Sequence, residues 1–179
     1  MLQQRVVGLI VMVALGGASA GLRAAPLPQS VAETDAKAKP KASGPLPAAT
    51  LTELRTQLSG TDPQAAIAAA RKLGESGASN AATPLTELLA MGTTPTLAVE
   101  ALTALGKLRS PKAIQVLTLY AGNRNEPVRK AAVEALGVLA DPRVAGVLIE
   151  RLGDLAPEIR AAAASALAAR KDERAAPRL

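Results

Sequence analysis

Carboxylates, amines, guanidinium groups and hydroxyls are the only side chains in this 179-residue sequence that could carry catalysis, because it contains no His and no Cys. Their absence removes thiol nucleophiles, imidazole bases and Cys/His metal sites. Asp141 and Glu150 would be the carboxylate pair for acid-base chemistry, but nine residues of helix place them about 13 Å apart along the axis. The sequence therefore predicts no catalytic residue, no cofactor-binding residue and no metal ligand, and we expect that the protein is not an enzyme.

The apolar side chains that must form the core are mostly small. Hydrophobic residues make up 49% of the sequence, 40 of its residues are alanine, and the only aromatic residue is Tyr120. Because protein interiors are close-packed, short side chains bring backbones close together. This composition favours an all-α fold of tightly packed helices.

The positive charge is not clustered as a nucleic-acid-binding surface requires. The chain has 21 Lys and Arg against 15 Asp and Glu, a net charge of +6, but residues 51–179 carry only 16 basic and 13 acidic groups. Single-stranded nucleic acids are bound by a basic groove with aromatic side chains for base stacking. We therefore expect no nucleic-acid partner.

Residues 1–20 have the pattern of a signal peptide. Arg5 precedes an uncharged apolar run, residues 6–15, and Ala18-Ser19-Ala20 supplies the small residues that signal peptidase requires. We predict cleavage after Ala20, with a second candidate after Ala25, and a periplasmic or secreted protein. The alternative is an uncleaved anchor, since the apolar run extended to Leu22 approaches the length of a membrane helix. Membrane contact is expected only in that case.

Residues 21–49 lack apolar periodicity and contain five prolines, so they predict a disordered Ala/Pro/Lys linker. The pattern changes at Thr50, which forms a capping-box sequence with Glu53. We expect an N-terminal capping helix over residues 50–60, ending at Ser59-Gly60.

The rest of the chain repeats itself every 31 or 32 residues. The pairs Leu73-Gly74, Leu105-Gly106 and Leu136-Gly137 recur and are followed by Leu167-Ala168. Each closes a helical segment that opens at a proline, namely Pro63, Pro95, Pro127 and Pro157, where a helix tolerates the missing N–H. A second helical segment follows each pair, as at Ser110 and Asp141, where we expect Asp141 to cap the helix. The units span residues 62–92, 94–124, 125–154 and, incompletely, 156–179.

The third unit, EPVRKAAVEALGVLADPRVAGVLIERLGD at residues 126–154, resembles HEAT-like repeats of the short class that is also seen in phycobilisome lyases. The resemblance covers roughly residues 60–179. It implies a right-handed α-solenoid of about four helix pairs, with first helices on the convex side and second helices on the concave side, used to bind another protein. It does not imply bilin chemistry, because nothing in the sequence matches a catalytic motif.

The helical period identifies the side of the second helices that faces away from the core. In the third repeat it places Arg143, Gly146 and Glu150 on that side, because Val144, Leu148 and Leu152 form the buried stripe. The equivalent positions of the other repeats complete the predicted concave, partner-binding face, whose residues are Lys112, Gln115, Arg143, Glu150 and Arg174. Its cations, Lys112, Arg143 and Arg174, recur at 31-residue steps and suit an acidic partner, although charged residues also fill ordinary exposed positions.

These features predict an exported, non-enzymatic adaptor or assembly protein of the cell envelope that binds a protein partner. Two alternatives remain open. One is a lyase-like or chaperone-like protein related to bilin lyases that binds a small ligand, and the other is a fragment of a longer repeat protein.

We expect the ring of Tyr120 to be half buried with its hydroxyl in water. Arg129 and Arg160 are expected to pair across neighbouring repeats.

Overall fold

A computed structural model describes residues 44–170, so the predicted signal peptide, most of the predicted linker and Arg174 lie outside the described residues. This part of the chain contains eight α-helices and one 3-10 turn, Pro111–Ala113. The helices are α1 (Ala48–Ser59), α2 (Pro63–Ser76), α3 (Ala82–Met91), α4 (Pro95–Leu108), α5 (Ile114–Tyr120), α6 (Glu126–Gly137), α7 (Val144–Arg151) and α8 (Pro157–Arg170). None of the helices between residues 44 and 170 is both long and apolar enough to cross a bilayer.

The helices form two layers. The first helices of the repeats, α2, α4, α6 and α8, stack side by side in chain order. The second helices, α3, α5 and α7, pack across them, and α1 extends the second layer by contacting both α2 and α3. The predicted all-α fold of stacked helix pairs is confirmed. Which layer is concave stays a prediction.

Leucine fills the space between the layers. The largest fully buried side chains include Leu73, Leu105, Leu136 and Leu167, the leucines of the repeated pairs, and Leu85, Leu117 and Leu148 from the second helices. Among residues 44–170 no polar or charged residue is fully buried. The core is therefore apolar and is shared between neighbouring repeats, as a repeat that cannot bury its own face requires.

The helix starts follow the prediction from the prolines. Pro63, Pro95 and Pro157 are the first residues of α2, α4 and α8, and Pro127 is the second residue of α6. The carboxylate of Asp62 accepts a hydrogen bond from the N–H of Gln64 at 2.9 Å, which satisfies one of the free donors of α2.

The start of α1 differs from the prediction. The helix begins at Ala48, two residues before Thr50, and no side chain caps it, so the predicted capping box is not formed. The chain is instead fixed just upstream, where the N–H of Leu46 donates to Oδ1 of Asn80 at 2.9 Å and Nδ2 of Asn80 donates to the carbonyl of Leu46 at 3.1 Å. The side-chain amide of Asn80 offers a donor and an acceptor together, as a neighbouring strand would.

The repeated glycines lie where the first helices come closest. A Cβ atom built on Gly74 would be 2.7 Å from both Cα and Cβ of Ala104. The same close contact recurs one repeat later, where an added Cβ atom on Gly106 would be 3.1 Å from Ala135, and again on Gly137, where it would be 2.7 Å from Ala166. Each Leu-Gly pair therefore combines two contacts, because its leucine fills the core while its glycine lets the next first helix approach.

We expect the substitution Gly74→Ala to lower the free energy of unfolding by about 1 to 3 kcal/mol, because the added methyl group must push α4 away. This loss would outweigh the intrinsic helix preference of alanine over glycine, about 1 kcal/mol. Urea denaturation followed by circular dichroism measures it. The matched control is Gly146→Ala, since Gly146 faces open space, and it should stabilise the protein. A Gly74→Ala variant as stable as the parent would contradict the close contact between α2 and α4 at Gly74.

Candidate functional site

The side chains predicted to bind a partner are exposed where the structure describes them. Lys112 lies in the 3-10 turn before α5, Gln115 on α5, Arg143 just before α7 and Glu150 near the end of α7, and all four face solvent. Arg174 lies outside the described residues. Exposure alone does not test the predicted role of these residues, which stays a prediction.

The two described cations of this face have different surroundings. Asp141 holds Arg143 by two hydrogen bonds of 2.9 Å, from Nε to Oδ1 and from NH2 to Oδ2. Its Oδ1 also accepts the backbone N–H of Arg143, and these bonds lower the pKa of Asp141 to about 2. The predicted cap on α7 is therefore wrong: α7 begins at Val144, and Asp141 neutralises Arg143 instead.

Lys112 lacks this neutralisation. The position that Asp141 holds in the third repeat is Ser110 in the second, so the turn beside Lys112 offers a hydroxyl and no carboxylate. Within residues 44–170 no carboxylate lies in salt-bridge range of its ammonium group. Of the two described cations, Lys112 therefore keeps the uncompensated charge.

A groove of about 660 Å³ lies between the turn that joins α2 to α3 and the turn that joins α4 to α5. We call it the turn groove. Three cations line it, Lys107, Arg109 and Lys112, and none of its lining residues is acidic. The complete lining is Gly77, Ala78, Ser79, Asn80, Thr83, Lys107, Leu108, Arg109, Ser110, Pro111 and Lys112.

The prediction from the repeat did not identify Lys107 and Arg109 as site residues. The sequence contains a signal for them, because residues 107–112, where the first predicted helical segment of the repeat passes into the second, carry three cations and no acid. The sequence contains no signal for the backbone conformation of Arg109. It ends α4 in the left-handed conformation, at φ 49°, the role that Gly77 has for α2 at φ 62°.

Tyr120 has a structural contact. Its hydroxyl donates to the carbonyl of Leu89 at 2.8 Å, and burial raises the pKa of its phenol. The expectation that this hydroxyl points into water is wrong. The equivalent residue one repeat later, Arg151, donates to the carbonyl of Ala121 at 3.2 Å. Both carbonyls lie at the end of the preceding second helix, where backbone acceptors lack partners within the helix.

Arg129 and Asp154 form a largely buried ion pair, with side chains 14% and 5% exposed. Nε and NH2 of Arg129 contact the two carboxylate oxygens at 2.8 and 2.9 Å, and NH1 donates to the carbonyl of Asn123 at 2.8 Å. Both residues of the pair belong to the third repeat, so the expected pairing of Arg129 across neighbouring repeats is wrong, and only its bond to Asn123 reaches the preceding repeat. Arg160 instead donates to the carbonyls of Asp154 and Leu155, both at 3.0 Å. Both arginines fix the turn that precedes their helix.

Within residues 44–170 no three acidic side chains lie close enough together to hold a metal ion.

A model of a protein family described as HEAT repeats matches residues 51–137 and 119–179. No curated protein matches the sequence. Among solved structures, human deoxyhypusine hydroxylase in complex with glycerol is similar, with a TM-score of 0.62 and 24% sequence identity. The similarity covers 73% of this chain but only 46% of the hydroxylase chain, so this chain spans about half of its length. The narrower resemblance to phycobilisome lyases stays a prediction.

The prediction that the protein is not an enzyme is contradicted by this comparison. That prediction rests on the missing His and Cys and on the lack of a recognisable catalytic set of residues, yet a solved structure with a similar arrangement of helices is a hydroxylase. At 24% identity the similarity shows the fold alone. Helix pairs of this kind are therefore compatible with catalysis, and the fold class does not decide the activity.

The pair formed by Arg129 and Asp154 should make stability depend on pH. We expect Asp154→Asn to lower the free energy of unfolding at pH 7 by about 2 to 4 kcal/mol, because it leaves a guanidinium group poorly paired in a buried site. The hydrogen bonds from Arg129 hold the pKa of Asp154 below its ordinary value of 3.8. The contribution of the pair is therefore complete above that value and is lost as the pH falls through the lower, folded-state pKa.

Urea denaturation of parent and variant between pH 7 and pH 2.5 measures this difference. The stability gap between them should close as the solution becomes acidic. Glu134→Gln is the matched control, because its side chain and that of its partner Lys130 are 56% and 44% exposed and such pairs contribute little. A gap that stays constant with pH would rule out the proposed role of the carboxylate.

Proposed function

Because the chain belongs to the HEAT-repeat family, we propose that it is a protein-binding module of the cell envelope. Its binding surface is the outward side of the second helices, which we call the second-helix face. The face is formed by Lys112, Gln115 and Leu119 from the second repeat and by Arg143, Gly146 and Glu150 from the third.

Gly146 is the observation that carries this proposal. Glycine inside a helix is less favourable than alanine by roughly 0.5 to 1 kcal/mol, so it needs a reason. Packing explains the glycines at Gly74, Gly106 and Gly137, because a neighbouring first helix lies against each of them. Apart from its chain neighbours and the backbone of its own helix, nothing in the described part of the chain lies within 4 Å of a Cβ atom added to Gly146. We infer that the backbone of a partner approaches the face at Gly146, where a larger side chain would block it.

Leu119 supports the same surface. Its side chain is 72% exposed, although it lies on a helix whose other side is packed in the core. An exposed leucine offers apolar surface whose burial by a partner would favour binding. Gln115 and Gly146 are equivalent positions on the neighbouring helices α5 and α7, which contact each other.

The charges of the face differ between its two ends. Lys112 precedes α5 at the end where each repeat turns from its first to its second helix, whereas Glu150 lies near the other end of α7. A partner with the opposite polarity would bind in one orientation, because complementary charges fix the register of an interface.

Affinity capture from an envelope extract, using the chain from residue 21, tests this function. We expect the parent to retain a defined protein and Gly146→Gln to retain at least tenfold less, because the new side chain fills the site of close approach. The control is Ala68→Gln, which adds the same side chain at an exposed position of α2 and should retain the protein as the parent does. Equal retention by Gly146→Gln, or no retained protein at all, would refute the proposal.

The placement in the envelope follows from residues 1–20 and has its own test. When the full chain is expressed in a bacterium with a signal-peptide pathway, we expect the mature protein outside the cytoplasm with its N-terminus at Gly21. Mass spectrometry of the intact protein from separated compartments measures both. An uncleaved chain in the membrane fraction would favour an anchor, and an uncleaved chain in the cytoplasm would exclude export.

A further inference from the structure

We propose that the turn groove binds the carboxylate side chains of an extended acidic segment of a protein. This inference rests on the proposed function, because the segment would belong to the partner of the second-helix face. Lys112 borders both surfaces, so a single partner can contact them together.

The groove concentrates the positive charge of the described chain. Residues 44–170 contain thirteen Lys and Arg and eleven Asp and Glu, so the surface outside the three groove cations is close to neutral. Lys107 also lies 3.9 Å from Glu75, but both side chains are more than half exposed, and a pair of that kind is weak. An acidic ligand would therefore find this groove favourable against an otherwise balanced surface.

Arg109 provides an independent reason to assign a binding role. A residue other than glycine in the left-handed conformation costs about 1 to 2 kcal/mol, and the equivalent turn of the first repeat uses Gly77. The second repeat carries Arg109 there instead, and its side chain lines the groove. Backbone strain of this kind concentrates at sites that clamp ligands, and we assign it here to placing a guanidinium group in the groove.

A segment without secondary structure, residues 44–47, already lies against the rim of the groove. Asn80 is a lining residue, and its amide pairs with both the N–H and the carbonyl of Leu46. The rim therefore binds both polar groups of one backbone residue, and the groove beside it has the volume of a small-ligand pocket, which allows a few residues of a peptide. Ser79 and Ser110 add hydroxyl groups that can donate to carboxylates.

An acidic protein segment fits the groove better than a nucleic acid does. Three cations are fewer than the six to ten phosphate contacts that are typical of strong electrostatic binding to DNA. No aromatic side chain is among the lining residues to stack on a base. Carboxylates on an extended peptide need only two or three opposing cations.

Fluorescence anisotropy with a labelled eight-residue peptide of alternating Glu and Gly tests the proposal, using the chain from residue 21. The peptide with Gln in place of Glu should bind at least tenfold more weakly. The double variant Lys107→Gln/Arg109→Asn should weaken binding of the Glu peptide at least tenfold, and asparagine tolerates the left-handed backbone. The matched double variant Lys72→Gln/Arg124→Asn removes the same charge outside the groove and should change binding less than threefold.

Equal weakening by the two double variants would overturn the proposal, since the peptide would then respond to net charge alone. So would equal binding of the Glu and Gln peptides. Vesicles that contain phosphatidylglycerol provide the membrane comparison. If they bind through Lys107 and Arg109 while the Glu peptide does not, the groove is a lipid site and the proposal fails.

The groove and the second-helix face can fail separately. If the envelope partner is lost from Gly146→Gln but binds Lys107→Gln/Arg109→Asn as it binds the parent, the groove proposal is wrong and the proposed function stands. If the Glu peptide binds as expected but no envelope protein depends on Gly146, the proposed function is wrong and the groove is an acidic-peptide site in its own right.

Discussion

The short distance between neighbouring first helices is the constraint on which the rest of the structure depends. Three glycines, Gly74, Gly106 and Gly137, each face an alanine of the next helix, at distances that leave no room for a Cβ atom at Gly74 and Gly137 and little room at Gly106. Such close approach lets small side chains fill the first layer, which explains how a chain with one aromatic residue and 40 alanines builds a continuous core. The leucine beside each glycine then fills the space between the layers.

The ends of the helices are tied by a second set of contacts with nearly the same repeat. Tyr120 and Arg151 reach back to the end of the preceding second helix, and Arg129 and Arg160 hold the turns before their own helices. A phenol and a guanidinium group serve at equivalent positions. The repeated feature is therefore a hydrogen-bond donor at the end of each second helix, which binds carbonyls that lack partners at the end of the preceding second helix. Each contact joins neighbouring elements only, so stability should accumulate repeat by repeat.

The features that the sequence predicted correctly are local or periodic. The 31-residue step, the prolines at the helix starts and the buried leucines all belong to a pattern repeated along the chain, so one copy supports another. The features that it missed depend on contacts without such a pattern. Leu46 and Asn80 are 34 residues apart, and their pairing replaces the capping box expected at Thr50. The turn groove likewise needs two turns from different repeats and a left-handed backbone at Arg109, and a stack of equivalent units does not specify either.

Charge illustrates why identical positions do not perform identical roles. Lys112 and Arg143 occupy the same place in successive repeats, but Ser110 lies beside the first and Asp141 beside the second, so only Arg143 is neutralised within its own turn. The same reasoning applies to the fold as a whole, since a similar stack of helix pairs forms part of a hydroxylase. The stack fixes where side chains lie and leaves their chemistry to the individual repeat. We therefore expect any specific activity of this chain to come from positions where one repeat departs from the others, and Arg109, Ser110 and Gly146 are such positions.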